Sequence, residues 1–365
     1  MRKNKNNETD LPLTISSKDG LVDQISFFNK TVASKDMSGY YLLMNGEYAY
    51  NKSYSVGYDF GSIKRLERYP MGALSTLYIC FALKKYNSDF IKTYFDSLKW
   101  YKEIYMISAE GARNHGLLNV PTDEFFDTYH YITENEVEQE KIAKLMDLIE
   151  RRIQKQQALV DSLKKYKRGL NIRLLSGISM SYSKRLGDVC SIIGGGTPDT
   201  TTAKFWDGGI NWFTPSEIGK TKYVVSSLRS ISYDGMLKSS AKLLPQNTVL
   251  LTTRATLGEM SILQSEATTN QGFQSLIPSE EILAEYVYYL QVIIKPWCEK
   301  YASGNTFREI SKSALSNCLI PVPDISTQNK LVRVLSGIDQ HIEHEKDILD
   351  KLRDQKKALL QQLFI

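Results

Sequence analysis

The sequence predicts an α/β protein in which two globular domains are separated by two long helices that pair as an antiparallel coiled coil. Three observations carry this prediction: the length of the chain, an internal repeat, and a regular spacing of apolar residues in both copies of the repeat. The chain has 365 residues, of which 42% are hydrophobic and 24% are charged. That composition is typical of a folded protein, and the length leaves room for two cores.

The repeat is clearest in two segments that lie 189 residues apart. Residues 139–175, QEKIAKLMDLIERRIQKQQALVDSLKKYKRGLNIRLL, align with residues 328–364, QNKLVRVLSGIDQHIEHEKDILDKLRDQKKALLQQLF. Nine positions are identical, and one of them matches Gln139 with Gln328. Self-similarity at a fixed shift indicates a duplicated unit, so the chain is expected to have an internal pseudo-two-fold repeat.

Both segments carry the four-three spacing of apolar residues that is typical of a coiled-coil seam. Eight of the ten seam positions are apolar in each copy; the polar exceptions are Gln156 and Lys167, which match Glu345 and Lys356. A surface helix packed on its own domain is the alternative for either copy alone. The candidate seam residues are Ile149, Ile153, Leu163, Leu170, Leu174, Ile338, Ile342, Leu352, Leu359 and Leu363.

The polar seam residues suggest a register for the two helices. If partners pair antiparallel with residue numbers that sum to 512, Lys167 faces Glu345. Lys356 then faces Gln156. Every polar seam residue would gain a polar partner, and slipped registers would be disfavoured because they bury an unpaired charge.

The apolar residues at the end of the chain are expected to be buried. Leu363, Phe364 and Ile365 close a charged helical stretch, and a free helix end would leave them in water. In the register just described, Leu363 lies beside Ile149. We expect the last two residues to be covered by the adjacent first domain or by a partner.

The blocks that precede the two helices also correspond. The matched pairs are NGEYAYNKSYSVG (45–57) with QNTVLLTTRATLG (246–258), LPLTISSKDG (11–20) with INWFTPSEIG (210–219), and VPTDEFFDTYHYI (120–132) with ISKSALSNCLIPV (310–322). The first pair predicts a strand that runs into a polar turn and a glycine. We therefore expect domains at 1–132 and 177–323 and long helices at 133–176 and 324–365.

The second block opens with a segment that the first block lacks. This segment is KRLGDVCSIIGGGTP (184–198), and the start of the chain aligns only with residues after it. Within it, GGGTP (194–198) is most simply interpreted as a flexible turn.

Composition excludes several classes of protein. The opening MRKNKNNETD is too polar for a secretory signal, and no stretch approaches the roughly 18 apolar residues of a membrane span, so a cytoplasmic location is expected. The net charge of +5 is compatible with a polyanionic partner. The four cysteines have no CxxC spacing, so we expect buried thiols rather than disulfides or zinc ligands: Cys80, Cys190, Cys298 and Cys318.

Motifs for catalysis are missing from the sequence. The Gly-Lys-Thr at 219–221 lacks the earlier glycine of a phosphate-binding loop, because position 214 is Thr214. His341 and His344 are three residues apart and could clip a metal, but a solvated helix face is the simpler interpretation. We therefore expect no enzyme activity, no metal site and no cofactor bound by this chain.

A duplicated chain with two different domains suits the recognition of two short sites on duplex DNA, which is itself two-fold symmetric in its backbone. Polar and basic residues on loops are the candidates for contact with bases and phosphates. The alternative is a structural coiled-coil scaffold whose domains bind other proteins. The candidate DNA-binding residues are Lys52, Tyr54, Arg113, Asn114, Thr214, Lys220, Lys222, Thr253, Arg254, Asn305 and Arg308.

A series of motifs along the chain resembles the specificity subunit of type I restriction-modification systems. The motifs are SAEGARNHGLLNV, DTYHYI, RLGDVCSIIGGGTP, INWFTPSEIG, NTVLLTTRATLGEMSI, SGNTFREIS, LIPVPDISTQNKL and KKALLQQLF. The resemblance covers nearly the whole length, and its combined order is more specific than any one motif. The chain departs from the family pattern in the missing opening of the first domain.

This resemblance implies two α/β target recognition domains, each reading half of a bipartite DNA sequence, held apart by an antiparallel coiled coil. It implies a subunit without catalysis that scaffolds two methyltransferase subunits and is joined by restriction subunits with ATP-driven translocation. S-adenosylmethionine, Mg2+ and ATP are then expected only in those partner subunits. A fused single-chain restriction enzyme is disfavoured, because the two repeats already fill the chain.

Overall fold

The computed structural model describes residues 1–108, 118–254, 256–304 and 308–364. It divides into two compact units, of which the first is Met1–Gln157 with Asp347–Ile365 and the second is Ala158–Lys346. Each unit combines a mixed α/β domain with parts of both long helices. The expected α/β class with two long helices is therefore confirmed.

The first unit contains short antiparallel sheets and helices. Its strands are β1 (Leu13–Ser16), β2 (Gly20–Asp23), β3 (Tyr41–Met44), β4 (Tyr48–Asn51), β5 (Ser62–Arg65), β6 (Met71–Leu74) and β7 (Ile79–Phe81). Its helices are α1 (Gln24–Phe28), α2 (Ser88–Asp96), α3 (Tyr101–Ile107), α4 (Thr122–Phe126) and the first part of α5 (Glu136–Ser176). The strands pair as β1-β2, β3-β6 and β5-β4-β7. The core is aromatic and includes the buried side chains of Tyr48, Tyr50, Phe90 and Trp100.

The second unit has a larger sheet. Its strands are β8 (Ser183–Arg185), β9 (Cys190–Gly194), β10 (Trp206–Phe213), β11 (Tyr223–Val224), β12 (Arg229–Ile231), β13 (Val249–Leu251), β14 (Met260–Leu263), β15 (Thr268–Thr269), β16 (Gln274–Pro278) and β17 (Leu319–Pro321). Its helices are α6 (Leu186–Val189), α7 (Tyr233–Leu237), α8 (Ala284–Tyr289), α9 (Gln291–Tyr301), α10 (Lys312–Ser316) and the first part of α11 (Ile325–Leu363). The strands pair as β11-β14-β13-β16-β9, β12-β10-β15 and β17-β8.

The internal repeat is visible in the topology and in the backbone. Strand β4 lies between β5 and β7, and its counterpart β13 lies between β14 and β16. Positions that match in sequence share the left-handed conformation: φ is 86° at Gly46 and 66° at Asn247, and it is 84° at Gly57 and 78° at Gly258. Residues other than glycine and asparagine rarely adopt the left-handed backbone conformation. Its presence at matched positions therefore supports the alignment of the two blocks.

Gln139 anchors helix α5 to the first domain. The side chain is buried; its Oε1 accepts a hydrogen bond of 2.9 Å from the backbone N–H of Asn87, which caps α2. Its Nε2 donates a bond of 2.9 Å to the carbonyl of Thr133. A buried amide that satisfies backbone groups in this way fixes the helix against the domain.

Gln328 makes the equivalent contacts at the start of α11. Its Oε1 accepts a bond of 2.9 Å from the N–H of Leu283, which precedes α8. Its Nε2 donates bonds of 2.8 Å to the carbonyls of Glu281 and Pro323. The identity of residues 139 and 328 in the sequence thus has a structural cause.

The long helices run antiparallel within each unit, but their register differs from the prediction. In the first unit Lys356 Nζ lies 2.6 Å from Glu150 Oε2, and in the second Lys167 forms an ion pair with Asp339. In each ion pair the two residue numbers add up to 506 rather than 512. The predicted register, with Lys167 opposite Glu345, is therefore wrong by six residues. The prediction considered only other seam residues as partners of the two lysines. The aliphatic part of a lysine side chain can lie along apolar surface, so its ammonium group reaches a carboxylate that flanks the seam.

Apolar seam residues pack as expected for a coiled coil. In the first unit Ile153 is buried in a cluster with Leu349 and Leu352, and Ile149 and Ile348 pack against it. The remaining candidate seam residues are buried or half-buried: Leu163, Leu170, Leu174, Ile338, Ile342, Leu359 and Leu363.

The end of the chain packs against the first domain. Phe364 is 4% exposed, and its ring centroid lies 5.5 Å from that of Phe90 and 5.3 Å from that of Tyr94 on α2. Leu363 packs against the same cluster, which contains Ile142 rather than the predicted neighbour Ile149. The expected cover for Phe364 is therefore confirmed, and Ile365 lies outside the described residues.

A half-buried histidine beside this cluster makes the first unit sensitive to pH. The hydroxyls of Tyr94 and Thr128 lie 3.0 Å from Nδ1 and Nε2 of His130. Burial lowers the pKa of His130 below the usual 6.5, although the carboxylate of Glu103 acts in the opposite direction. Between the lowered pKa and 6.5 the unfolded chain binds more protons than the folded one, so the folded state loses stability as the pH falls through this window.

We therefore expect the free energy of unfolding to decrease as the pH falls from about 7 through 6.5 toward the lowered pKa of His130, and less so in His130→Asn. Urea unfolding of both proteins across this range would check it, with the difference between the two curves isolating the histidine from the carboxylates. Parallel curves would contradict the role of His130.

The four cysteines are free and buried, as the sequence predicts. Burial raises the pKa of each thiol to about 12, so the thiolate form is rare at neutral pH. Within the described ranges, no helix combines the length and the apolar composition needed to cross a membrane.

Candidate nucleic-acid interface

In the second unit, the predicted contact Arg254 and Pro215, the residue after the predicted contact Thr214, both lie beside Gly272. A side-chain carbon placed on Gly272 would lie 2.8 Å from Pro215 Cγ, 3.0 Å from Asn270 Oδ1 and 3.5 Å from Arg254 Nε. Thr214, immediately before Pro215, donates its hydroxyl to Glu217 Oε2 at 2.7 Å and its backbone N–H to the same oxygen at 2.8 Å, at the start of a short 3-10 helix. We call Thr214, Pro215, Arg254, Asn270 and Gly272 the loop cluster.

Arg254 is the cation of the loop cluster. It follows strand β13 and is half-buried. Among the residues that the structure describes, none forms a hydrogen bond or an ion pair with its side chain. A guanidinium held in a polar loop with its donors unused can bind a phosphate or the acceptor edge of a guanine.

Thr253 was predicted to contact DNA, but in the structure it is buried. It is fully buried, and its hydroxyl donates a hydrogen bond of 3.0 Å to Glu309 Oε1. Its N–H donates to the carbonyl of Gly272 at 2.9 Å. Thr253 therefore connects the Arg254 loop to its neighbours, a positioning role rather than an exposed one.

The paired residues Ser303 and Glu309 lie beside this site. The two residues exchange backbone hydrogen bonds of 3.1 and 2.9 Å, and Ile310 N–H donates to the carbonyl of Thr253 at 3.2 Å. Arg308 is exposed and donates to the backbone carbonyls of Glu299 and Ala302. The predicted contact Asn305 lies outside the described residues.

Lys220 and Lys222 line a separate cleft of about 670 Å3 in the second unit. We call it the basic cleft. Six cations line it, with two carboxylates, Asp339 and Glu343. The cations are Lys164, Lys167, Arg168, Lys220, Lys222 and Lys346.

Lys222 is the most constrained cation of the basic cleft. Its Nζ donates to the hydroxyl of Tyr289 at 3.2 Å and to that of Ser336 at 3.0 Å, and it lies 4.6 Å from the centroid of the Tyr289 ring. Burial lowers the pKa of Lys222, partly offset by Glu285 and Asp339. Lys222 is thus held in place by aromatic and hydroxyl groups.

Some of the other cations of the basic cleft are paired with carboxylates, and others are not. Lys167 is paired with Asp339, and Lys346 lies 3.0 Å from Glu343. Arg168 and Lys220 are exposed and form no ion pair with any residue in the described ranges. The cleft therefore carries an excess of positive charge toward solvent, which attracts polyanions.

In the first unit, Lys52 and Tyr54 follow strand β4, and in the sequence alignment they match Thr253 and Ala255. Lys52 is half-buried, and its carbonyl accepts a bond of 3.0 Å from Leu118 N–H. Tyr54 is 56% exposed. The other two predicted contacts of this unit, Arg113 and Asn114, lie outside the described residues.

Sequence reasoning missed part of each site. Asn270 and Gln271 belong to a polar run, TTNQG, between apolar strands, which is a signal that could have been used. The glycines of GGGTP are also more than a flexible turn. A side-chain carbon on Gly195 would lie 2.0 Å from the carbonyl oxygen of Asn270, and one on Gly196 would lie 2.2 Å from Ser240 Oγ. Gly195 thus lets the end of the strand pack against Asn270 of the loop cluster, and Gly196 lets the chain pack against Ser240.

Metal ligands do not gather anywhere in the described ranges, where no group of three or more His, Cys, Asp or Glu side chains could hold an ion. His341 instead lies 3.1 Å from Glu345 on the same helix.

Known proteins resemble part of the chain in sequence. Residues 181–354 match the family described as "Type I restriction modification DNA specificity domain". The type I restriction enzyme MjaIX specificity subunit of Methanocaldococcus jannaschii is 35% identical over 176 residues, 46% of this chain and 41% of that protein. A type I restriction enzyme specificity subunit of Escherichia coli is 31% identical over 166 residues, 43% of this chain and 40% of that protein.

The chain thus spans about two fifths of the length of the curated relatives that it matches. One solved structure, described as "Structural basis underlying complex assembly and conformational transition of the type I R-M system", covers all of this chain. The TM-score is 0.64, with 18% identity and 93% of that chain covered. This likeness concerns the fold. Together these matches confirm the resemblance that the sequence motifs indicated.

Proposed function

We propose that this chain is the DNA-recognition subunit of a type I restriction-modification complex, on the premise that residues 181–354 are a DNA specificity domain of that family. The observation that carries this proposal is that match, together with the repetition of the same strand order and turns in the first unit. Each domain reads one half of a bipartite sequence. The domains are proposed at 1–132 and 177–323, and the long helices at 133–176 and 324–365.

In the second domain the loop cluster reads bases. Arg254 supplies a planar set of donors suited to O6 and N7 of guanine, and Thr214 and Asn270 supply shorter polar groups beside it. Their support comes from buried contacts such as Thr253 with Glu309, which limit the movement of the loop. In the first domain Lys52 and Tyr54, with Arg113 and Asn114, are the proposed counterparts.

The basic cleft binds the phosphate backbone. Arg168 and Lys220 offer exposed positive charge, and Lys222 is held among the rings of Tyr288 and Tyr289. Phosphate contacts of this kind orient a protein on the duplex and carry no sequence information themselves.

The chain is proposed to act without catalysis of its own, in the cytoplasm, as the part of the complex that selects the sequence. Methylation and cleavage belong to partner subunits: two methyltransferase subunits, which use S-adenosylmethionine, and restriction subunits, which use ATP and Mg2+. The match to a DNA specificity domain and the names of the relatives support this division of labour.

A footprinting experiment on a duplex library separates this proposal from a scaffold that binds only proteins. We expect the chain, bound to its methyltransferase partner, to protect one sequence composed of two short elements at a fixed distance. A complex that assembles but leaves every duplex equally accessible would indicate the scaffold.

Charge removal in the basic cleft tests the phosphate contacts. We expect Arg168→Ala and Lys220→Ala each to weaken binding to target and to unrelated duplexes alike, and to lower the slope of log affinity against log salt by about 1. Arg333→Ala, which removes an exposed charge from α11, is the matched control and should leave the slope unchanged. An unchanged slope in both cleft variants would exclude the cleft as a phosphate site.

A further inference from the structure

A loop of the second unit, residues 225–228, exposes apolar side chains to solvent. It connects β11 to β12. Leu228 is 86% exposed and Val225 is 65% exposed. A single exposed apolar side chain is common on protein surfaces and indicates nothing alone. The contacts around Leu228 therefore decide whether this side chain has a role.

Hydrogen bonds fix this loop to the end of strand β10. The side chain of Asn211 accepts a bond of 3.1 Å from the N–H of Ser227 and donates one of 3.2 Å to the carbonyl of Val225. The N–H of Trp212 donates to the hydroxyl of Ser227 at 2.8 Å. Because its backbone is bonded in this way, the loop holds Leu228 in a defined place although the side chain is exposed.

Glu217 joins the loop to the loop cluster. Its Oε1 accepts a bond of 2.7 Å from the N–H of Leu228. Its Oε2 accepts bonds of 2.8 and 2.7 Å from the N–H and the hydroxyl of Thr214, a member of the loop cluster. One carboxylate group therefore bonds both residues, so Leu228 lies next to the surface that we propose to read bases.

The residue after Leu228 adds a positive charge. The guanidinium carbon of Arg229 lies 3.7 Å from the centroid of the Trp206 ring, and the side chain is exposed. Among the residues that the structure describes, none forms an ion pair with Arg229. A guanidinium stacked on an indole is held in place and keeps its donors available. An exposed leucine beside such a cation suits a partner that carries anionic and apolar groups close together.

Duplex DNA has this combination of groups. Its phosphates line both edges of the major groove, and the apolar group that a base pair presents within that groove is the C5-methyl of thymine. An apolar protein surface offers no counterpart for Arg229. The charge beside Leu228 and the contact with Thr214 through Glu217 therefore favour DNA over a protein as the partner of this loop.

We propose that Leu228 contacts the C5-methyl group of a thymine in the half of the target that the second domain reads. This inference rests on the proposed function and adds a residue that determines specificity. The contact removes apolar surface of both groups from water, so it favours thymine over a base without the methyl group.

Uracil tests this contact, because it differs from thymine only by the missing methyl group. Each thymine of the selected target is replaced by uracil in turn, and binding of the complex with the methyltransferase partner is measured. We expect one replacement to weaken binding by about fourfold, as the burial of one methyl group implies. In Leu228→Ala the same replacement should have little effect. Each protein is compared with itself on two duplexes, so a folding defect cannot mimic this result.

Leu237→Ala is the matched control. Leu237 is also an exposed leucine of the second unit, but it lies on α7, which packs beside Phe205 at the opposite end of β10. This variant should keep the full effect of the uracil replacement. The sensitive thymine should lie in the half of the target where Arg254→Lys lowers discrimination.

The outcomes separate this inference from the proposed function. A complex that selects a sequence but shows no uracil effect that depends on Leu228 would overturn the inference and leave the proposed function in place. A complex that selects no sequence would overturn both. If Leu228→Ala instead impairs assembly with the methyltransferase and leaves the uracil effect unchanged, the leucine belongs to a protein interface and the inference is wrong.

Discussion

Replacing Gln328 by Leu is expected to lower the free energy of unfolding of the second unit by about 2–4 kcal/mol. Leucine has a similar volume, so the packing changes little. However, the N–H of Leu283 and the carbonyls of Glu281 and Pro323 lose their partner. A buried backbone group without a partner costs about 1–3 kcal/mol, and part of this cost is recovered where water can enter.

Calorimetry of the full chain measures this effect, with an expected fall of the unfolding temperature by about 5–12 °C for a unit of this size. Gln139→Leu should have a smaller effect in the first unit, since Gln139 bonds two backbone groups rather than three. Lys330→Leu, on the exposed face of α11, is the matched control and should change the temperature little. A Gln328→Leu protein as stable as the control would show that the amide bridge does not fix helix to domain.

Replacing Arg254 by Ala is expected to weaken binding of the assembled complex to its target by about 1–3 kcal/mol, or about 5-fold to 150-fold. The guanidinium lies in the loop cluster without an ion pair to any described residue, so its removal should leave the fold intact. The loss should be larger for the target than for unrelated duplexes, because a base contact is lost in addition to charge.

Arg254→Lys separates the two contributions. Lysine keeps the charge but loses the planar pair of donors, so we expect nonspecific binding to persist while discrimination at one base pair falls. Equilibrium binding to target and single-mismatch duplexes at several salt concentrations provides the measurement. If both variants discriminate mismatches as the original chain does, Arg254 does not read a base.

Much of the fold follows from local patterns in the sequence. The two long helices were predictable because their apolar spacing repeats with the same polar interruptions. The matched turns were predictable because glycines fall at equivalent places, and Gly57 and Gly258 do share a left-handed backbone. Cover for Phe364 by the first domain was predictable because an apolar helix end must be buried.

The register of the helices was not predictable from the seam. Lys167 and Lys356 bond carboxylates that flank the seam, Asp339 and Glu150, and such partners cannot be chosen without the path of each long side chain. The two ion pairs are partly exposed, so they set direction more than stability.

The candidate sites were predictable in part. Arg254 and Pro215, next to Thr214, lie beside the same glycine, Gly272, although they are distant in sequence, and no local pattern reveals this. The burial of Thr253 depends on Glu309, and the position of Lys222 depends on Tyr289 and Ser336, so these roles arise only from tertiary contacts. The basic cleft likewise gathers residues from both long helices and the domain.

The most direct measurement is single-base mapping of methylated adenines in a host that carries this chain and its methyltransferase partner. We predict methylation at one bipartite sequence, which disappears when the chain is deleted and becomes less selective in one half with Arg254→Lys. A methylation pattern that is the same with and without the chain would contradict its role in sequence recognition.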